Sequence, residues 1–268
     1  MELWQSIVLG LTQGITEFVP VSSSGHLEIL RILMGLGGDD FHYFLEFINV
    51  GTLIALLIYF RKYIIKILQD IFKKHDFKLA LNIIITCIPA GLAGLLLANF
   101  IENNGFFGNI FSLAIAMGVI GIIMVIIDKL PHASRIQDET KLTKPRALAI
   151  GVAQAFALIP GTSRSGTTII AGRLAGMDNK SSATYSFLVA IPIMLGVCLK
   201  MFLSSENRDY LMNNLSMLAI SNAAALIIGL IAIYFALHIL AKPKSLQAFG
   251  YYRIILSLIV LIVALLVI

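Results

Sequence analysis

QGITEFVPVSSSG, residues 13–25, interrupts one long apolar region of the chain, and QAFALIPGTSRSG, residues 154–166, interrupts another in the same way. Each stretch, here called break 1 and break 2, runs from Gln through apolar residues to a Pro and then through a hydroxyl-rich segment to a Gly, 12 positions after the Gln. In a membrane, backbone outside a helix persists only where protein or a water-filled cavity satisfies its hydrogen-bonding groups. A matched pair of breaks therefore predicts a binding site between two halves of the molecule.

The composition assigns this chain to the membrane. Of its 268 residues, 58% are hydrophobic and 13% are charged, whereas about 25% are charged in a typical soluble domain. About 20 helical residues cross a hydrocarbon core of ~30 Å. Six apolar segments are predicted to span it, the last of them short unless residues 251–253 extend it: 41–60, 79–100, 110–127, 182–203, 215–240 and 254–268.

The net charge of +5 is concentrated in three connections between these segments. Residues 61–78 contain six Lys or Arg, residues 128–146 contain five and residues 241–253 contain three. Basic loops of membrane proteins remain in the cytoplasm, so we expect these three on that side. Because they lie at the ends of spans, a nucleic-acid partner is not expected.

An internal repeat relates the two halves of the chain. The offset between the breaks is 154 minus 13, or 141, and adding it to the first three predicted spans places them close to the last three. Each half then has one hairpin and three crossings, and an odd number of crossings inverts the second half. We predict one all-α integral membrane domain of six transmembrane helices and two re-entrant helical hairpins, arranged as an inverted-topology repeat: repeat 1 (1–127), a cytoplasmic connector (128–146) and repeat 2 (147–268).

Break 2 has the composition of a phosphate-binding segment. A helix that begins at a Ser-Gly turn presents free N–H groups and its positive dipole end, which favour an anion. Arg adds a planar fork of donors suited to phosphate. The candidate phosphate-binding residues are Ser163, Arg164, Ser165, Gly166 and Thr168. The Lys spacing of a P-loop is missing, so nucleotide binding is not implied.

Break 1 has a carboxylate and is followed directly by an imidazole, and break 2 has neither. Glu17 is an ionisable residue at membrane depth, which indicates a functional site. A carboxylate beside a phosphate calls for a cation, and Mg²⁺ binds one or two carboxylates together with substrate phosphate oxygens. His26 can exchange a proton near neutral pH, and hydroxyl groups of Ser22 and Ser23 precede it. Glu46 is either a second carboxylate of the site or a residue of the outer interface.

Two motifs in these breaks resemble the undecaprenyl-diphosphatase, or bacitracin-resistance, family: QGITEFVPVSSSGHL (13–27) and LIPGTSRSGTT (158–168). The resemblance implies hydrolysis of undecaprenyl diphosphate to undecaprenyl phosphate and inorganic phosphate, which recycles the lipid carrier for peptidoglycan synthesis. It also implies a divalent cation, Mg²⁺ or Ca²⁺, a multi-pass protein of the bacterial cell membrane with its active site facing outward, and commonly a homodimer.

Position by position, the resemblance places the acidic motif on Gln13 and Glu17 and the phosphate-binding segment on the five residues of break 2. The family's Ser and His fall on Ser22, Ser23 and His26. Many members have Glu at the position of Gln13, so Glu17 is expected to hold the metal alone or with Glu46. The attacking group is either Ser23 or a metal-activated water.

The sequence supports a phosphatase and leaves one alternative. In the phosphatase, Arg164 and the hydroxyls of break 2 bind the diphosphate, Glu17 positions the cation, Ser23 attacks, and His26 acts as base and then as acid. Broken helices in an inverted repeat are also typical of transporters, so a flippase for polyprenyl phosphate is the alternative. The difference between the breaks favours the hydrolase, because transport needs no base and hydroxyl beside the phosphate site.

Overall fold

The computed structural model describes residues 1–130 and 135–267, and those residues are mainly α-helical. The predicted connector is therefore described only in part, because residues 131–134 lie outside these ranges. The helices in chain order are α1 (Leu3–Thr16), α2 (Ser23–Leu33), α3 (Asp39–Phe47), α4 (Asn49–Tyr59), α5 (Arg61–Lys74), α6 (Lys78–Asn103), α7 (Ile110–Lys129), α8 (Lys144–Ala155), α9 (Arg164–Leu174), α10 (Asn179–Leu203), α11 (Ser205–Asn213), α12 (Leu215–Leu240) and α13 (Ser245–Val267).

The prediction of an all-helical membrane protein with six spans is confirmed. Within the described residues, six helical stretches are long and apolar enough to cross a membrane: Phe41–Tyr59, Lys78–Leu97, Ile110–Lys129, Asn179–Leu203, Leu215–Leu240 and Ser245–Leu266. The fifth has the predicted bounds. The first consists of two helices, α3 and α4, that meet at Ile48.

Two of the predicted basic connections are partly helical in the structure. The predicted loop 61–78 is mostly the helix α5, whose residues are all at least partly exposed. The last span was predicted from residue 254 with residues 251–253 as a possible extension; α13 includes that extension and begins earlier still, at Ser245. Arg253 consequently lies inside a candidate span and is fully buried.

Both breaks separate a pair of short helices, α1 from α2 and α8 from α9. Proline disfavours helical backbone in the residue before it, and Pro20 and Pro160 lie between the helices of each pair. The second helix of each pair begins after a serine N-cap, Ser22 before α2 and Ser163 before α9. The polar breaks are therefore real interruptions of the helical backbone.

Helices from the two halves of the chain pack closely on one another: α7 on α13, α1 on α12, and α8 on α6. Glycines make two of these contacts tight. A Cβ added at Gly10 of α1 would lie 2.4 Å from the carbonyl oxygen of Ser221, and one at Gly151 of α8 would lie 2.5 Å from that of Thr86. Small residues allow such close approach of membrane helices.

The main apolar core surrounds the breaks. It includes Phe18 of break 1, Ile169 of α9, and Met124 and Phe187 from two of the spans. Large apolar side chains also cover the outside, and Leu95, for example, is 81% exposed. Such a surface suits contact with lipid and would favour aggregation in water.

Candidate active site

Ser22 and Ser163 lie at equivalent positions of the two breaks, and both have a positive backbone φ, 74° and 71°. The Ser22 hydroxyl accepts a hydrogen bond from the N–H of Gly25 at 3.3 Å, and the Ser163 hydroxyl accepts one from Gly166 at 3.2 Å. Sparsely populated backbone of this kind costs of order 1–3 kcal/mol and clusters at functional sites. Both predicted site serines thus cap a helix that begins at a strained turn.

An ion pair between Glu17 and Arg164 joins the two breaks. Arg164 Nη2 donates to Glu17 Oε1 at 2.7 Å, across 147 positions of sequence. The side chains of Arg164 and Glu17 retain 14% and 12% of their accessible surface. Charges this far from water are costly unless both are well bonded. The structure therefore brings together the two charged residues that the sequence analysis assigned to opposite breaks.

The second carboxylate oxygen of Glu17 faces break 1. Ser23 Oγ donates to Glu17 Oε2 at 2.7 Å, and Gln13 Nε2 donates to the same atom at 3.2 Å. Gln13 also donates to the side-chain oxygen of Asn49 at 2.9 Å. Glu17 thus contacts the candidate nucleophile, the candidate phosphate-binding arginine and a supporting amide through its two oxygens.

Other hydroxyls of break 2 support its backbone. The Thr168 hydroxyl lies 2.5 Å from that of Ser186 and donates to the Arg164 carbonyl at 2.9 Å. The Ser165 hydroxyl lies 3.2 Å from that of Ser163. Arg164 Nη1 reaches the carbonyl of Ser186 at 3.5 Å. Thr168 and Ser165 are 1% and 2% exposed, so they hold the first turn of α9 around Arg164.

His26 is held at the edge of the site by two partners. Its Nδ1 lies 2.8 Å from the Ser22 carbonyl, and its Nε2 lies 2.7 Å from the Tyr252 hydroxyl. Because a carbonyl only accepts, Nδ1 carries the proton, and in the neutral ring Nε2 accepts from Tyr252. The two rings are stacked with centroids 5.8 Å apart. Among the described contacts, none joins the imidazole to Ser23 or Glu17.

Glu46 points to a different group of residues. Its Oε2 accepts a hydrogen bond from Asn207 Nδ2 at 2.8 Å, and its Oε1 lies 3.8 Å from His42 Nε2. No described contact links the Glu46 side chain to Glu17. Of the two interpretations of Glu46, the contacts favour a role away from the Glu17 group.

Arg253 is a residue that the sequence analysis did not assign to the site. Its guanidinium is 0% exposed and donates to the carbonyl of Pro20 in break 1 at 3.2 Å and to those of Gly161 and Thr162 in break 2 at 2.6 and 3.2 Å. It also donates to the carbonyl of Met117 in α7 at 3.2 Å. Arg253 therefore fastens both breaks to one point. A single arginine inside an apolar span is the signal that indicates such a role.

Comparison with known proteins places this arrangement in a family. The family model of the bacitracin resistance protein BacA matches residues 6–259, which include both breaks and Arg253. The chain belongs to this family. The predicted family resemblance is thereby confirmed.

Curated relatives of the BacA family match the chain over nearly its whole length. The undecaprenyl-diphosphatase of Acinetobacter baumannii is 33% identical over 269 residues, covering 98% of this chain and 96% of that protein. Undecaprenyl-diphosphatase 1 of Clostridioides difficile is 36% identical over 272 residues, covering 97% and 96%. Undecaprenyl-diphosphatase 1 of Stutzerimonas stutzeri is 34% identical over 266 residues, covering 97% and 95%.

The side chains around Glu17 suit a cation that brings other ligands with it. Among the described residues, no group of three or more His, Cys, Asp or Glu is arranged to hold a metal. One carboxylate with a neighbouring hydroxyl and amide is nevertheless a donor set that fits Mg²⁺, which commonly binds one or two carboxylates and keeps water and substrate phosphate as further ligands. A cation at this BacA-family site would therefore depend on substrate for part of its coordination.

Proposed function

We propose that this membrane protein hydrolyses undecaprenyl diphosphate to undecaprenyl phosphate and inorganic phosphate. The observation that carries the proposal is the Glu17–Arg164 pair with Ser23 on the same carboxylate, in a chain that the BacA family model matches from residue 6 to 259. The curated relatives bear the name of this activity. In the bacterial cell membrane, such an enzyme returns the lipid carrier to peptidoglycan synthesis.

We further propose that α1–α2 and α8–α9 are re-entrant hairpins of an inverted repeat. Helices of 14, 11, 12 and 11 residues are about 16–21 Å long at 1.5 Å per residue, which is too short for a ~30 Å core. Three features recur at the 141-residue offset: the positive-φ serines 22 and 163, the capped glycines 25 and 166, and the closely packed glycines 10 and 151.

The repeat divides the single domain into the predicted halves, 1–127 and 147–268, around the connector. With the basic connections in the cytoplasm, break 1 enters from outside and break 2 from inside. As the family resemblance implies, we propose that the active site faces the extracytoplasmic side. The prenyl chain of the substrate would lie among the apolar side chains that cover the outside of the helices.

Arg164 and the first-turn N–H groups of α9 are the proposed diphosphate-binding groups. A helix N-terminus and a guanidinium both favour a phosphate. Glu17, with Gln13 beside it, is the proposed position of Mg²⁺ or Ca²⁺, which when bound would neutralise charge on the diphosphate. In the structure Arg164 donates a hydrogen bond to the Glu17 carboxylate. When substrate binds, phosphate oxygens would replace this carboxylate as the acceptor.

Ser23 is the proposed nucleophile. Its Oγ bonds to the terminal phosphorus, the bond from that phosphorus to the bridging oxygen breaks, and undecaprenyl phosphate leaves with the bond's electron pair. Glu17 Oε2, 2.7 Å from Ser23 Oγ, is placed to accept the serine proton. Water then cleaves the phosphoserine and releases inorganic phosphate. If a metal-activated water is the nucleophile instead, Ser23 only orients Glu17.

His26 remains a candidate for proton transfer later in the cycle. Its Nε2 faces Tyr252 and its Nδ1 faces the Ser22 carbonyl, so the predicted role as base toward Ser23 requires the ring to turn. In its observed position it connects the start of α2 with an exposed phenol. We propose that His26 passes a proton between the site and solvent during hydrolysis of the phosphoserine.

Phosphate release by detergent-purified protein tests the proposal. We expect Arg164→Ala, Glu17→Gln and Ser23→Ala each to reduce the rate at least 100-fold, while Arg208→Ala, at an exposed arginine, leaves it unchanged. EDTA should abolish the wild-type rate. Near-normal rates in Arg164→Ala and Glu17→Gln would contradict the site, and EDTA-resistant hydrolysis would contradict the metal.

The alternative function is transport of polyprenyl phosphate across the membrane. The matched helix breaks in both halves are the observation that favours it, since such breaks form the binding sites of many transporters. Flux of labelled prenyl phosphate across proteoliposomes containing Ser23→Ala separates the two activities. Flux without hydrolysis supports transport, and its absence leaves hydrolysis as the function.

A further inference from the structure

A cavity lies outside the proposed active site, beside the helix pair α8–α9. Its volume is about 600 Å³. None of its described lining residues belongs to the Glu17 group, and Arg135 of the connector is one of them. The others that matter here are Arg146, Ala149, Ala153 and Leu174.

The cavity combines cationic and apolar surfaces. Arg135 and Arg146 are the only charged residues among the described lining, and within the described part of the chain neither guanidinium has a hydrogen bond or ion pair with another residue. The helix α8 begins at Lys144, two positions before Arg146, and its N-cap Thr143 makes no side-chain hydrogen bond to the first turn. Alanines and Leu174 form most of the remaining wall. An occupant that complements this lining has an anionic head and an apolar tail.

The position of the cavity indicates where such an occupant comes from. The connector belongs to the predicted cytoplasmic side, and the cytoplasmic leaflet carries anionic phospholipids that attract basic residues near the membrane surface. On α8, Leu148 and Val152 are 47% and 52% exposed, and Leu174 at the end of α9 is 64% exposed. Leu174 lines the cavity itself, and Leu148 and Val152 directly precede the lining residues Ala149 and Ala153 in sequence. Apolar surface that suits lipid therefore occurs on both helices that line the cavity.

We propose that this cavity binds an anionic membrane phospholipid, with its phosphate between Arg135 and Arg146 and an acyl chain along Ala149 and Ala153. The bound lipid would contact Arg135 of the connector together with α8 and α9, the two helices that flank break 2. Because α9 begins at Arg164 and ends at the cavity, occupancy stabilises the helix that carries the proposed phosphate-binding arginine. The site is independent of the proposed hydrolysis.

Native mass spectrometry of detergent-purified protein incubated with phosphatidylglycerol or phosphatidylcholine tests the proposal. We expect wild type to retain phosphatidylglycerol selectively, and Arg135→Gln/Arg146→Gln to bind it about 30-fold more weakly, since each arginine near anionic lipid contributes about fivefold. Lys73→Gln/Lys78→Gln is the control. It removes the same charge from exposed residues on the same predicted side, outside the cavity, and should bind like wild type.

Two further measurements identify the occupant. Ala149→Leu fills the cavity without changing charge and should also weaken retention of phosphatidylglycerol. Addition of undecaprenyl phosphate or inorganic phosphate should displace little of it. Equal retention by the double arginine variant and its control would overturn the proposal, as would binding of undecaprenyl phosphate with no retention of phosphatidylglycerol.

Discussion

Replacement of Arg253 by methionine removes the one side chain, among the described residues, that bonds to the backbone of both breaks. The guanidinium donates to the carbonyls of Pro20, Gly161 and Thr162, and those are the hydrogen bonds described for these three oxygens. Methionine fills a comparable apolar volume and donates nothing. The substitution therefore tests whether a buried cation holds the two breaks in register.

The expected loss follows from the three carbonyls. A buried acceptor that loses its partner costs about 1–3 kcal/mol, which amounts to about 3–9 kcal/mol for three. Methionine also abolishes the cost of keeping a charge away from water, so we expect a net loss near the lower limit, about 3 kcal/mol. For a chain of this size that corresponds to a fall in the unfolding midpoint of roughly 6–12 °C.

The two free cysteines provide the assay. Cys198 is buried and Cys87 is partly buried, so a thiol-reactive dye reports thermal unfolding in detergent. We expect Arg253→Met to unfold at the lower temperature and to release phosphate at least tenfold more slowly at a temperature where it is still folded. Arg208→Met, at an exposed arginine, should match wild type in both measurements. An Arg253→Met midpoint within about 2 °C of wild type, with normal phosphate release, would show that Arg253 does not hold the two breaks together.

Three further predictions concern other residues. Gly161→Ala should lower the unfolding midpoint more than Gly176→Ala, because both glycines have φ near +90° but only the new methyl at 161 would lie within 2.4 Å of a backbone oxygen; equal effects would exclude the contact as the cause. Tyr252→Phe should slow phosphate release severalfold and change its pH profile with little change in midpoint, since it removes the hydroxyl on His26 Nε2. Burial raises the pKa of the Glu139 carboxyl, so the folded protein holds this proton more tightly than the unfolded chain does. The protein therefore loses stability as pH rises above the ordinary carboxyl pKa. Glu139→Gln should remove this fall in the unfolding midpoint with rising pH.

Several parts of the fold were predictable because each depends on residues close together in sequence. The span Leu215–Leu240 has its predicted bounds, since a long apolar run between polar connections defines a membrane helix. The two breaks were predictable from clusters in which Pro, hydroxyl residues and Gly occur together; a single proline does not end a helix here, since Pro89 and Pro192 lie inside α6 and α10. The basic character of residues 61–78 was predicted correctly, but the helix α5 within them was not. It has only 14 residues, and basic side chains interrupt its apolar ones, so it does not look like a membrane span.

The last span and its arginine show where the local signal fails. Hydropathy placed the start of the span at residue 254, because Tyr251, Tyr252 and Arg253 lower the local average. The buried position of Arg253 depends on the carbonyls that the breaks leave without helical partners. Those acceptors lie more than 90 positions away in sequence, so no window along the chain contains both sides of the interaction.

A helical membrane protein with two matched breaks is readable from the chain alone, as are the carboxylate, hydroxyls and arginine that bear on phosphate chemistry. Which of these residues meet is known only from the folded molecule: Glu17 contacts Arg164 and Ser23, His26 contacts Tyr252, and Arg253 contacts both breaks. Preference for lipid or for a helix is a property of neighbouring residues. An ion pair or a shared carbonyl depends on the packing of helices from opposite halves of the chain.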